Sequence, residues 1–447
     1  MFIPKNVEKI ISILYNAGFE AYVVGGCVRD SLLGIEPHDW DICTSATPEQ
    51  TKECFKDYKM FDSGIKHGTI SVVIDNEVFE ITTYRIDGEY TDSRHPESVT
   101  FTTNIIEDLS RRDFTINAMA YNEKEGLIDP FNGRKDLKNK VIRCVGNPYD
   151  RFCEDALRIL RALRFAARFE FSIADNTHDA ILEEKNRLSN ISYERINSEL
   201  CGILMAKNCG NSILRKYSQV ITEFIPEIKD MIGFEQNNPH HLYDVWEHTL
   251  HCMEHKEINN TGIELRIALL LHDIGKPHCY TEDDNKIGHF KGHANISSEI
   301  SESILKRLRF SNEITKNVVE LIKLHDLCLV ATKPAVKRLL NKTSKEQLEK
   351  LLLLREFDIC GQNQKNTLVW ESKMQQVADF RAVLCDVINE DECFKLSDLA
   401  INGRDLIAYG IPEGKEIGKI LNTLLNMVIN GDIKNNKEEL LKRINSI

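Results

Sequence analysis

Several features are scarce or missing in this 447-residue chain, and each absence narrows what it can be. No apolar run approaches the roughly 20 residues that a bilayer-spanning helix needs. The segment Met1 to Lys9 carries neither the apolar core nor the cleavage site of a secretory leader. A cytoplasmic location without a membrane partner is therefore expected. The thirteen cysteines include no Cys-x-x-Cys pair and are odd in number, which argues against a disulfide framework or a thiolate zinc site. Basic excess is also missing: the formal charge is −12, so a nucleic-acid partner has to meet Lys and Arg concentrated on one face. There are no internal repeats or low-complexity segments, and no protein partner can be inferred. What remains has the composition of a globular protein, 42% hydrophobic and 28% charged, with a length that predicts about three domains.

Against this background one stretch stands out. Val23-Val24-Gly25-Gly26-Cys27-Val28-Arg29-Asp30 reads as a strand running into two glycines and a helix start, an arrangement that lets backbone N–H groups and Arg29 approach a phosphate chain. Asp39 and Asp41 follow at the strand period of two, so both carboxylates leave one face of an extended segment. Two Mg²⁺ ions about 3.5–4 Å apart, sharing a triphosphate, are held this way for in-line nucleotidyl transfer. The dyad alone also suits a solvated turn; the glycines and Arg29-Asp30 before it favour the metal.

Gly25-Gly26-Cys27-Val28-Arg29-Asp30-Ser31-Leu32-Leu33-Gly34, then Pro37-His38-Asp39-Trp40-Asp41, resembles the head signature of class II tRNA nucleotidyltransferases (CCA-adding enzymes) and bacterial poly(A) polymerases, within the polymerase beta superfamily. The resemblance implies a small mixed-sheet head, Mg²⁺ at Asp39 and Asp41, CTP and ATP as substrates and the tRNA 3′ end as partner. The fold class expected is α+β, with the head followed by an all-helical neck, an HD body and a tail.

Taken in order, apolar Val7, Ile10, Ile11 and Leu14 predict a first helix ended near Gly18, and Thr69–Ile74 and Val78–Arg85 read as strands. Glu80, on the second of these, is placed by the resemblance as a third carboxylate beside the aspartates. Asp87 to Ser98 is rich in turn formers and charge and is expected to be a mobile loop. Its Arg94-His95-Pro96 resembles the family's flexible element for switching from C to A addition. Asp108 to Met119 is helix-compatible; Arg112 is a candidate for triphosphate oxygens, and Asp113 with Asn117, four residues apart, for a ribose hydroxyl. The family's ribose-recognising motif has the same Arg-Arg-Asp-x-Thr-Ile-Asn-Ala-Met form.

After Asp129-Pro130-Phe131-Asn132-Gly133 the chain becomes helical, which sets boundaries at 1–140 for the head, 141–230 for the neck, 231–355 for the body and 356–447 for the tail. In the neck, Arg158, Arg161, Arg164 and Arg168 form a basic stripe, with Asp155 three residues before Arg158. Such a stripe is usually a solvated face. An Asp beside an Arg can, however, read a base edge, accepting from the exocyclic amine of C or A and donating to a ring acceptor. Glu-Asp-x-x-Arg resembles the family's protein template, which implies that Asp155 and Arg158 select CTP and ATP while Glu154 holds them. Ser192-Tyr193-Glu194-Arg195-Ile196 resembles a family helix-turn motif and reads as structural.

Residues 240 to 325 hold ten of the fourteen histidines. Imidazoles and carboxylates gathered from several helices suit a divalent metal that activates water. Leu271-His272-Asp273-Ile274-Gly275-Lys276-Pro277 resembles the central motif of HD phosphohydrolases. The expected ligands are His248, His272, Asp273 and Asp326, with His293 and His325 accessory and the metal unspecified; a metal-free HD fold is the alternative. In the tail, Leu399-Ala400-Ile401-Asn402-Gly403-Arg404-Asp405-Leu406 resembles the element that contacts the tRNA body. A full CCA-adding enzyme is the main expectation. An A-adding enzyme, a poly(A) polymerase, or an HD phosphodiesterase acting on RNA ends are the alternatives.

Overall fold

The computed structural model describes residues 1–62, 64–88, 98–363, 367–390 and 392–444. The chain divides into two compact units, Met1–Pro226 and Glu227–Ile447.

In the first unit, the helix Lys5–Asn16 buries Val7, Ile10, Ile11 and Leu14, the helical spacing read from the sequence. A mixed sheet follows, its strands ordered Lys59–Phe61, Thr69–Ile74, Glu77–Thr83, Ile42–Thr44, Ala21–Val24, Ala120–Asn122 and Gly126–Ile128. Ile42–Thr44 lies parallel to Glu77–Thr83, with Ile42 opposite Ile81, and antiparallel to Ala21–Val24. The first of these pairings sets Asp41, just before its strand, level with Glu80 in the middle of the neighbouring one. One face of the sheet packs Tyr22, Val24, Cys43, Tyr84 and Ala120 against Ile105 and Leu109. That burial anchors the short helix Ile105–Ser110, whose N-cap is Asn104.

Two expectations about local structure fail here. Asp108 to Met119 is not one helix: Ile105–Ser110 ends, and Thr115–Asn117 forms a separate 3₁₀ turn. Phe114, buried and extended at the start of that turn, pulls the chain out of helical geometry. The helix through Glu154–Arg168 is also broken. Pro148–Glu154 stops at Asp155, whose backbone is extended, and Leu157–Phe169 begins anew. Asp155 Oδ1 accepts from the Leu157 N–H at 3.0 Å, the local competition that makes Asp a poor residue inside a helix and a good one at its start. The neck is not purely helical either, because Val141–Ile142 pairs with Ser172–Ile173. The predicted loop over 87–98 keeps a short pairing of Arg85–Asp87 with Val99–Phe101 at its base. Its tip, including Arg94-His95-Pro96, lies outside the described residues.

The second unit is helical apart from the pair Thr281–Glu282 and Gly288–His289. Ile263–Leu271 is buried from Leu265 onward, with Arg266 bonded to Ile258 O, the burial of a central helix. Val245–Cys252, Asn312–Leu324 and Lys345–Gly361 pack against it. The 355/356 boundary drawn from sequence falls inside Lys345–Gly361. A separate tail core of Leu406, Leu424, Leu425 and Leu440 joins Gly403–Ala408, Lys415–Asn430 and Lys437–Ile444. Among the described residues no helix is long and apolar enough to cross a membrane.

Candidate active site

In the head, Asp39, Asp41 and Glu80 line one cavity of about 800 Å³. The strand itself starts at Ile42, so Asp39–Asp41 is the extended approach to it rather than part of it. Asp41 is fixed because its carbonyl accepts from the Val24 N–H at 3.0 Å. Desolvation, opposed by Arg112 and reinforced by Asp39, raises the Asp41 carboxyl above its ordinary value. None of the three carboxylates forms a salt bridge among the described residues, so the group fits a divalent cation.

Gly25 adopts φ +78°, and a Cβ there would stand 3.0 Å from Arg112 Nη1. The glycine thus brings the backbone close to a guanidinium that Asp108 holds at 3.4 Å and whose buried Nε–H has no hydrogen-bond partner among the described residues. Arg29 is turned inward. Its Nη1 donates to Asn117 Oδ1 at 2.6 Å, its Nε donates to Asp30 at 2.8 Å, and its guanidinium lies over Phe165 and Phe169. At 5% exposure it positions Asn117 and is not open to a phosphate.

Although no continuous helix joins them, Asn117 Nδ2 donates to Asp113 Oδ1 at 2.9 Å. Arg161 donates to the other oxygen, Oδ2, through Nε at 2.8 Å. Burial alone would raise Asp113; Arg161, Asn117 and Arg158 together overturn it and hold the carboxyl at about 2.

The neck arginines do not form an open stripe. Arg158 pairs with Glu154 at 2.6 Å and donates to Arg111 O at 3.1 Å, Arg161 pairs with Asp113, and Arg164 pairs with Glu199 at 2.6 Å. Asp155, at the helix break, meets Arg195 at 2.8 Å. Arg195 and Asp108 were not singled out from the sequence. Arg195 belongs to a motif that reads as structural, and nothing local marks its partner.

In the second unit, His248, His272, His293 and His325 are oriented alike. Their Nδ1 atoms lie against the carbonyls of Gly361, Leu269, Phe290 and Ile322 at 3.1, 2.8, 2.9 and 2.6 Å. Each Nδ1 is thereby assigned the proton, and each Nε2 turns a lone pair inward. Asp273 faces both halves of the cluster. Its Oδ2 lies 3.3 Å from His248 Nε2 and 3.2 Å from His272 Nε2, its Oδ1 3.4 Å from His293 Nε2 and 3.7 Å from His325 Nε2. His293 and His325 Nε2 are 3.1 Å apart, and the buried His272 Nε2 makes no hydrogen bond among the described residues. Lone pairs so close to carboxylates and to each other repel unless a cation stands between them.

Asp326 does not belong to this set. Its side chain is 56% exposed and approaches His293 only at Nδ1, 4.0 Å away. Its place is taken by Asp358, with Oδ1 3.1 Å from His248 Nε2 and 4.0 Å from His272 Nε2. The sequence did carry a signal: Asp358 is a carboxylate seven residues after Leu351, on the buried side of an apolar helix. Burial would raise both Asp273 and Asp358. Lys276 beside the first and Arg355 beside the second help to hold them well below the usual range.

The fold and the head site define a nucleotidyltransferase of the poly(A) polymerase type. A Poly A polymerase head domain model matches residues 21–143, and a model for tRNA nucleotidyltransferase domain 2 matches residues 281–444. The CCA-adding enzyme of Pediococcus pentosaceus is 32% identical over 445 residues, covering 99% of this chain and 98% of its own. That of Streptococcus mutans is 33% identical, covering 98% and 97%. The Bacillus stearothermophilus CCA-adding enzyme in complex with CTP superposes with a TM-score of 0.71 at 28% identity, covering 100% of this chain and 99% of that one. The Thermotoga maritima CCA-adding enzyme complexed with tRNA gives 0.63 at 25% identity, covering 100% and 96%. This chain belongs to the CCA-adding enzyme family.

Proposed function

We propose that the head adds C, C and A to the 3′ end of tRNA from CTP and ATP, without a nucleic-acid template and with release of pyrophosphate. The observation that carries this is the set Asp39, Asp41 and Glu80 on one cavity, free of salt bridges among the described residues, in a chain of this family. Mg²⁺ held there supplies a lowered pKa for the attacking 3′-hydroxyl and offsets charge on the triphosphate. Gly25 and Gly26 present backbone to the phosphates, and the guanidinium of Arg112, 20% exposed, supplies positive charge beside them. Asp113 and Asn117 address the ribose, held in place by Arg161 and Arg29. Asp155 accepts from the amine that C and A share, and Arg158, braced by Glu154, donates to the ring. Asp155 exchanges Arg195 for the base in this step.

The test is incorporation of labelled CTP and ATP, with Mg²⁺, onto tRNA transcripts ending before the first C, after one C, and after CC. Addition to all three that stops after one A is expected. ATP addition confined to the CC-ended tRNA would mean an A-adding enzyme, and long A tails on unrelated RNA a poly(A) polymerase.

A second reading follows from the histidine cluster, which opens onto a cavity of about 290 Å³ bordered by Lys276, Arg355 and Lys373. Cations around a cation-hungry centre match a phosphate ester. The second unit is thus a metal-dependent phosphohydrolase acting on 2′,3′-cyclic or phosphorylated RNA ends, for which a bound divalent ion supplies an acidified water. His248, His272, Asp273 and Asp358 are the residues that would hold the ion, with His293 and His325 beside Asp273. Asp273 and Lys276, 2.7 Å apart, form the border between the cluster and the cavity. His272→Ala with Asp273→Ala is expected to abolish hydrolysis of a cyclic-phosphate RNA end and to leave CCA addition intact. Asp41→Ala should do the reverse.

A further inference from the structure

One buried ring lies at the meeting point of the groups that hold the proposed ribose site. Phe165, on the helix Leu157–Phe169, is 3% exposed. The guanidinium carbons of Arg29, Arg161 and Arg164 stand 5.0, 5.4 and 4.5 Å from its centroid. Two of these arginines grip the ribose pair directly, Arg29 donating to Asn117 Oδ1 and Arg161 to Asp113 Oδ2. The third, Arg164, is taken by Glu199. Phe165 also meets Phe114 in a T-shaped contact, with centroids 5.8 Å apart and planes at 84°. Phe114 stands between Asp113 and the Thr115–Asn117 turn, and its N–H donates to Asp113 Oδ1 at 2.8 Å. The ring therefore borders three groups that fix Asp113 and Asn117 in place. An aliphatic side chain could fill the same space, but only an aromatic face attracts cations. Guanidiniums gathered in a buried place repel one another, and the negative face of the ring offsets part of that repulsion.

We propose that Phe165 is a positioning residue that sets the preference for ribonucleotides over 2′-deoxyribonucleotides. By holding Arg29 and Arg161 on one ring, it keeps Asp113 and Asn117 at the spacing a 2′-hydroxyl requires. The inference rests on the reading of Asp113 and Asn117 as the ribose site. Phe165 itself is buried and acts through the two arginines. A site built to hydrogen-bond a hydroxyl rejects the analogue lacking it only while its donors and acceptors are held in register. Loosening them lowers the rate with CTP and spares the rate with 2′-deoxy-CTP, which makes no such bond. The sequence hid this role, because Phe165 follows Leu160 and Leu163 on one apolar helix and reads there as core.

The test uses full-length protein carrying phenylalanine with one, two or three ring fluorines at position 165, introduced by suppression of a nonsense codon. Fluorine withdraws charge from the ring face and barely changes its volume, so the series weakens the cation contacts while the packing is kept. kcat/KM is measured for CTP and 2′-deoxy-CTP, with Mg²⁺, on tRNA ending before the first C. The preference for CTP should fall stepwise with fluorine, by about 3- to 30-fold over the series, with the loss confined to CTP. Phe165→Leu, which keeps apolar burial and lacks the face, should match the far end of the series. A flat series, or equal losses with both nucleotides, would overturn the role of Phe165. Asp113→Asn, measured alongside, should also lose the preference. If it keeps the wild-type preference, the ribose assignment falls and the inference with it. If it loses the preference while the fluorine series stays flat, Phe165 alone is overturned and the ribose site stands. The graded series reads the charge of the ring, so it holds even if Phe165→Leu fails to fold.

Discussion

Arg161 Nη2 stands 2.7 Å from Asp113 Oδ2, tying the helix that follows the neck break to the head segment that carries Asp113 and Asn117, the proposed ribose site. Arg161→Ala removes the main cation that opposes desolvation of Asp113 and leaves a buried carboxylate short of a partner. Incorporation of both CMP and AMP should fall, because the same ribose group serves both nucleotides. Steady-state kinetics with CTP and ATP check this, and a loss confined to one nucleotide would contradict the shared role.

The same pair sets an acid-stability signature. Asp113 titrates at about 2 when folded, below the ordinary 3.8, so its contribution is complete above the unfolded value and is lost as pH falls from about 4 through 2. The contribution is on the order of 2 kcal/mol. Denaturant titrations of wild type and Asp113→Asn across this window should converge as pH falls.

Gly25→Ala places a Cβ on a residue at φ +78° and within 3.0 Å of Arg112 Nη1. The backbone strain costs about 1 kcal/mol or more, and the displaced guanidinium weakens the triphosphate site. KM for CTP and ATP should rise together, with base preference unchanged.

Asp155→Ala removes the proposed acceptor for the exocyclic amine. Discrimination against UTP and GTP should fall by about 10- to 100-fold, the equivalent of one good base-edge pair. Competition assays with mixed nucleotides measure it. Arg195→Ala, which only frees Asp155 from its ion pair, should keep the C and A preference.

Asp358→Asn and Asp326→Asn separate the two carboxylates at the histidine cluster. The first should lower metal occupancy, measured by elemental analysis of the purified protein, and the second should not, because Asp326 faces solvent. Equal losses would place Asp326 back among the ligands.

The sequence by itself determined what is contiguous. Gly25-Gly26 before the Asp39-x-Asp41 pair, the Lys5–Asn16 helix and His272-Asp273 at the end of an apolar helix were all legible, because their chemistry and periodicity lie within a few residues. Helical spacing misled where an Asp or a buried aromatic broke the helix: Asp155 capped the next segment and turned to Arg195, and Phe114 split the run from Asp108 to Met119. Only the tertiary structure decided which carboxylate completes the histidine cluster and which cation each acid receives. His248 and Asp358 are 110 residues apart in sequence, and Arg161 and Asp113 are 48 apart. Such pairs are chosen by the packing of helices around a shared core, where a buried charge must find a partner and an exposed one, such as Asp326, need not.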